Sequence, residues 1–470
     1  MTPKADSVKA RIDACETTED TLTGRAGLAL VSRYLRATGI IDLLAERFSF
    51  LKRSGKGAAL TAMFHQILCY FFDGTDLHLT RFDRLGEDEG YAGVIETAPR
   101  HLVSSHAVKR FFAAFSVVRV WLFRHVLRRM FAWRLRIEKP EVIYLGIDTM
   151  VMDNDDAEQR EGVEPTYKKV KGFQPLQVFW KRMLVDAILR NGKAHSNHGN
   201  HVSRTIGELV RYIRSAYAAD VPIVVVADTG FFDQKLFELC DRLDVGYIVG
   251  GKLYKDITAY IEQVPKEQFG EYRKERNVWH YCEFGDRRAS WNRFRRAIFT
   301  MPVTDDEGQA LFSFARPETL IYTNLGTNAV VTAGLAAVLG STQAATNPEL
   351  VINAYHLRAR DELVNRAFKE FGGEHLPFKR FAPNAAYYYL MAIAFFLFES
   401  FKRDMDTPQV PITWYPTTFR RRCVDIAGKV TRSGGRIVLK ITAAAEAAIG
   451  FFALWARIAT VIPIAPAGAT

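Results

Sequence analysis

Three carboxylates stand out for where they fall. Asp148 ends the apolar run Val142 to Ile147 in EVIYLGID, Asp228 ends VPIVVVAD, and Glu362 lies among basic and aromatic residues in YHLRARDELVNRAFKE. A strand that ends in an acid presents it to a ligand beyond the sheet's edge, although an Asp in that place also serves to cap a turn or the next helix. Two such acids with a helical Glu have a further use. Three carboxylates converging at one sheet end can hold two divalent metals about 4 Å apart, activate a water or hydroxyl, and steady the leaving oxygen of a phosphodiester. Mg²⁺ suits such oxygen donors, with Mn²⁺ expected to substitute.

The Glu sits in a helix-forming run, Tyr355 to Glu370. At about 100° per residue, Tyr355, Arg358, Glu362 and Lys369 fall on one narrow stripe. Opposite them Leu363, Val364, Ala367 and Phe368 make an apolar face for a core. Taken alone, the stripe reads as a solvated face laced with salt bridges.

Other residues invite chemistry less directly. In HLVSSHAVKRFFAAF, Ser104 or Ser105 supplies a helix N-cap, which places Lys109 and Arg110 in the first two turns of a helix. Between Glu271 and Arg296 there are eight Lys/Arg against four acids, with Trp279 and Trp291 among them. His195, His198 and His201 lie three residues apart in a Gly/Asn turn without Cys or carboxylate beside them, and read as a polar loop. DNDDAE (153–158) lacks the Gly and terminal Glu of a calcium loop and reads as an exposed acidic loop.

These residues need a frame. Residues 1–137 read as helical, with three- and four-residue apolar spacings, and form either a small DNA-binding domain or a plain helical bundle with a solvated basic face. After Pro140 come strands, then alternating helix and strand, so that 138–250 and 346–400 make a discontinuous α/β core with a mixed sheet. Residues 251–345 alternate polar and apolar side chains around turns and read as an antiparallel β insertion domain. A basic C-terminal region, 401–470, completes the chain.

At 470 residues the chain exceeds a single typical core. Lys and Arg (63) outnumber Asp and Glu (52), a net charge of +11 that favours a polyanionic partner. Five scattered cysteines without a C-x-x-C pair argue against a disulfide framework and a cysteine zinc site. The N-terminus has no apolar leader, and the apolar run from Ala385 to Phe398 is too short to span a bilayer. A cytoplasmic, nucleoid-associated protein without a membrane partner is expected.

The spacing Tyr355-x2-Arg358-x3-Glu362-x6-Lys369 resembles the Y-(2)-R-(3)-E-(6)-K signature of bacterial insertion-sequence DDE transposases of the cut-and-paste group. ADTGFFD resembles that group's second block, through Asp228, Gly230 and Phe231, and YLGID more loosely resembles its first. The resemblance spans roughly residues 140 to 400. It implies a ribonuclease H-like fold in which Asp148, Asp228 and Glu362 form the metal-binding triad. Tyr355, Arg358 and Lys369 would contact phosphates, and Trp279 or Trp291 could stack on a flipped base. The implied partners are double-stranded DNA, as terminal inverted repeats and as target, and a second copy of the chain in a homodimer. The rival readings are a metal-dependent nuclease without strand transfer, and a non-catalytic DNA-binding repressor derived from a transposase.

Overall fold

The computed structural model describes residues 12–52, 57–156, 159–197, 199–304 and 318–464. Its centre is a mixed sheet whose strands form where the sequence carries short β-branched runs. They are β1 (Ile143–Thr149), β2 (Leu176–Trp180), β3 (Met183–Ile188), β4 (Ile223–Ala227) and β5 (Gly246–Gly251). They lie in the order β3-β2-β1-β4-β5, with β1, β4 and β5 parallel and β2 and β3 antiparallel. That arrangement is consistent with the ribonuclease H-like core implied by the motif resemblance.

Residues 251–345 contribute β6 (Gly270–Lys274), β7 (Asn277–Asp286), β8 (Arg295–Pro302) and β9 (Thr319–Thr323). They do not close a sheet of their own. β9 pairs antiparallel with β5, and β8, β7 and β6 follow outward, giving nine strands in one sheet.

Both faces of the sheet are covered, which is why β4 is apolar throughout rather than alternating. Along β4, Ile223, Val225 and Ala227 belong to one hydrophobic cluster, whereas Val224 and Val226 belong to another on the opposite face. The first cluster takes in helices α1 (Leu60–Asp73), α2 (Ser105–Ala113) and α3 (Leu122–Glu138). Helix α4 (His201–Ala216) leads from β3 to β4, and α5 (Gln234–Arg242) connects the parallel strands β4 and β5.

The run expected as one helix is two. α6 (Pro348–Leu357) and α7 (Ala359–Gly372) meet at Arg358. Each half serves a different core: Val351, Ile352 and Ala354 of α6 pack into the second cluster, and Val364, Ala367, Phe368 and Phe371 of α7 into the first. The change of face coincides with the turn at Arg358, which itself keeps right-handed helical angles, φ −58° and ψ −31°. Leu363, expected on the apolar face, is 44% exposed.

α8 (Phe381–Met405) runs well beyond the apolar segment read from the sequence. By length and composition it could cross a membrane, yet 89% of its most apolar window is buried inside the protein. It packs against β3, α1 and α3 as a core helix. A three-stranded sheet joins Thr21–Thr23 to β10 (Gly428–Ser433) and β11 (Arg436–Ile441). The acidic stretch at 153–158 is only partly an exposed loop: Asn154 is fully buried and its side chain ties the chain to Glu374 and Leu376. Residues 157 and 158 lie outside the described residues.

Candidate active site

Parallel pairing of β1 with β4 aligns Ile147 with Ala227, so the next residues, Asp148 and Asp228, emerge side by side at the same end of the sheet. Asp148 accepts a hydrogen bond from the Thr149 backbone N–H at 2.7 Å and another from Asn365 Nδ2 at 2.8 Å. Asp228 accepts one from the Gly230 N–H at 2.8 Å, which folds the DTGFF turn. It therefore caps a turn while still facing outward. Glu362, in the first turn of α7, is exposed. Asp148, Asp228, Arg358, Glu362, Asn365 and Lys369 all line one cleft of about 680 Å³.

The cleft is short of positive charge at its floor. Burial pushes the Asp148 carboxyl up to about 6, and the charge of Asp228 adds to the shift while Arg358 opposes it. Asp361, which is buried, is pushed up to about 7 by burial and by Asp148. Its carboxylate occupies the space a side chain at position 146 would fill, because Gly146 has no Cβ to meet it. Above the floor, burial and the charges of Asp148, Asp228 and Glu362 all raise the Tyr167 phenol. A tyrosine that feels all three acids marks where their fields overlap.

Cations form one wall. Arg358 stands at the junction of α6 and α7, its guanidinium 5.6 Å from the Tyr355 ring centroid, and its Nε is buried without a hydrogen-bond partner among the described residues. Tyr355 itself lies over Gly250 of β5, beside Thr229, and burial raises its phenol. Lys369 is held by Glu374 at 2.6 Å. Three of the four residues expected on one helical stripe thus reach the cleft across the helix break. Tyr355 lines an adjoining cavity of about 480 Å³ that it shares with Arg358.

The remaining candidates divide. Trp279 lines that adjoining cavity, with its ring 4.8 Å from His356. Trp291 is not placed to stack on a base: it is only 5% exposed and packs among Phe232, Phe237 and Tyr322, with Arg295 5.5 Å from its ring. Lys109 and Arg110 are exposed on α2. His201 opens α4, and His198 lies outside the described residues.

Much of the basic character read from the sequence turns inward. Arg124 and Arg128 of α3 are buried against Asp186, Arg134 pairs with Asp404, Arg295 with Asp241, and Arg296 with Glu283. Acids distant in sequence neutralise runs that look unbalanced locally.

Sequence reasoning missed Asp361, Asn365 and Tyr167. One signal was present: a glycine inside a strand often marks a close approach by another group, and Gly146 stands two residues before Asp148. Asn365 follows Glu362 by three residues, which places both on one helix face.

A divalent cation fits the donor chemistry of this cleft. The acids offer oxygen ligands, and burial, with the charge of Asp228 adding to it, raises Asp148 even against Arg358. Among the described residues, however, no three His, Cys, Asp or Glu side chains are drawn together closely enough to share a metal.

Residues 7–462 match a family described as Transposase DDE domain group 1. A cryo-EM structure of a piggyBac transposase synaptic complex with hairpin DNA aligns with 83% of this chain and 85% of that one, at 10% identity. The TM-score of that alignment is 0.30. None of the curated proteins compared matches the chain.

Proposed function

The chain belongs to the family Transposase DDE domain group 1, and from that membership we propose that it binds the terminal inverted repeats of an insertion sequence, cleaves a strand at each end, and joins the freed ends to target DNA. The observation that carries this reading is the shared cleft: Asp148, Asp228 and Glu362 come from distant parts of the sequence and line it together with Arg358 and Lys369.

In this reading Asp148, Asp228 and Glu362 hold Mg²⁺, for which Mn²⁺ substitutes. When bound, the metal supplies the positive charge that activates the attacking oxygen and stabilises the leaving one. The chain's own residues do the rest. Arg358 offers a planar fork to two oxygens of the scissile phosphate. Lys369 exchanges Glu374 for a second phosphate oxygen. Asn365 holds Asp148 in orientation through its 2.8 Å hydrogen bond.

Two reactions follow. In the first, a water oxygen attacks phosphorus, the bond to the 3′ oxygen breaks, and that oxygen leaves as a hydroxyl. In the second, the 3′ hydroxyl attacks a target phosphodiester, so that one P–O bond forms as another breaks. Two ends must be handled together, which favours a homodimer on DNA. The test is a cleavage and joining assay on oligonucleotides that carry the element's ends, run beside an end-binding assay. Asp148→Asn, Asp228→Asn and Glu362→Gln should each abolish cleavage and leave end binding nearly intact. Cleavage without joined products would point to a nuclease, and binding without cleavage by the wild type would point to a repressor.

A further inference from the structure

The hairpin β10–β11 has no visible task in the core. One of its faces is anchored: Val430, Leu439 and Ile441 pack against the main hydrophobic cluster. The other face carries Lys429 directly opposite Lys440, with Leu22 beside Lys429 on the neighbouring strand. Like charges placed directly across a strand pair are destabilising. Asp20 pairs with Lys429 at 2.7 Å. Among the described residues no ion pair holds Arg432, Arg436 or Lys440.

The tip extends past its support. Gly434 and Gly435 both have positive φ, 58° and 76°, the requirement of a tight two-residue turn of type I′. A Cβ added at either would meet nothing within 4 Å. Arg432 sits opposite Ile437, which is 64% exposed. From 426 to 445 the chain has four Lys/Arg and no acid. The contrast with Arg124 and Arg128 of α3 is direct, since those two are buried and paired. Lysine on an edge strand can serve simply to block pairing with another sheet, but that role does not need arginines at a free tip.

We propose that the β10–β11 hairpin is a basic ribbon that docks on duplex DNA, with Arg436 and Lys440 of its open face against phosphates and Arg432, on the other face beyond the anchored residues, reaching a phosphate from the tip. A two-stranded ribbon fits a major groove about 12 Å wide, and charge complementarity selects the polyanion. The proposal rests on the transposase reading for its partner, and it assigns binding to an element outside the catalytic cleft.

The test compares wild type with the triple variant Arg432→Ala/Arg436→Ala/Lys440→Ala, measuring the affinity of each for end-bearing duplex across a salt series. The slope of log K against log salt should fall in magnitude by about 2 to 3, because each lost phosphate contact removes about 0.9. Affinity near 0.15 M salt should weaken at least tenfold, with Tm not lowered, because the loss of Lys440 relieves its repulsion with Lys429. Replacement of the two arginines by lysine, with Lys440 kept, should restore the slope. An unchanged slope in the triple variant, with wild type binding duplex, would overturn this proposal alone. So would a triple variant that loses only its binding to vesicles of anionic lipid. Failure of wild type to bind duplex at all would overturn the transposase reading and this proposal together.

Discussion

Two aspartates on the same sheet have opposite surroundings. Asp186 of β3 is fully buried and takes a bidentate pair of hydrogen bonds from Arg124, both at 2.7 Å, and two more from Arg128. Asp148 of β1 has an amide, a backbone N–H, two acids and only the unbonded charge of Arg358 for neighbours, and burial pushes it up to about 6. The first is an electrostatically closed unit that holds α3 to the sheet. The second is left open, and an acidic group whose compensation is missing from the fold is where a cation or a substrate contributes.

The heaviest loss is expected at Asp186. Asp186→Asn leaves the buried Arg124 and Arg128 guanidinium groups with only the partly exposed Glu208 as counter-charge and should cost about 3–5 kcal/mol, read as a fall in the urea midpoint. If Asp186→Asn proved neutral, the closed unit would not be structural.

Adding Mg²⁺ should raise the Tm of the wild type, because a ligand that binds only the folded state stabilises it, by about 2.7 kcal/mol at a hundredfold excess over Kd. Asp148→Asn and Glu362→Gln should lose that response. A wild-type Tm indifferent to Mg²⁺ and Mn²⁺ would count against a metal at the open acids.

Asp361 provides the pH signature. Its folded pKa is raised to about 7, above its ordinary value of 3.8, so ionisation inside the fold is unfavourable. In metal-free buffer stability should therefore fall as pH rises from about 4 through 7, and the full loss is present above 7. Asp361→Asn should raise stability at pH 8 by about 1–3 kcal/mol, a gain that vanishes near pH 4. Asp186→Asn should show no such gain, and equal pH profiles for the two variants would erase the distinction between them.

The smallest stability effect belongs to Lys369, whose pair with Glu374 is partly exposed. Lys369→Ala should change stability by no more than about 1 kcal/mol while weakening binding to pre-cut ends. A variant that binds those ends as tightly as wild type would confine Lys369 to its pair with Glu374.

The sequence made the open acids legible and the closed one opaque. Asp148 and Asp228 each end an apolar run, a local pattern, and the parallel alignment of their strands follows from the alternation of strand and helix. Asp186 lies inside such a run and means nothing until Arg124 and Arg128 arrive from a helix about 60 residues earlier. The same limit hid Asp361 behind its neighbour Glu362, because periodicity was continued through Arg358, where the chain in fact restarts its helix. Trp279 and Trp291 were indistinguishable as letters, and only the packing of Phe232, Phe237 and Tyr322 separates them.

Gly146 extends this into a constraint on variation. It is a gap in the row of side chains along β1, and the acid of another element sits in that gap. A methyl group there would collide with Asp361, and the collision would be transmitted along α7 to Glu362. A library randomised at 146 should therefore return glycine alone among active clones, although Leu145 and Ile147, which face an apolar core, tolerate exchange for other aliphatic residues. What this corner of the site demands is thus a hydrogen atom, at a position that performs no chemistry.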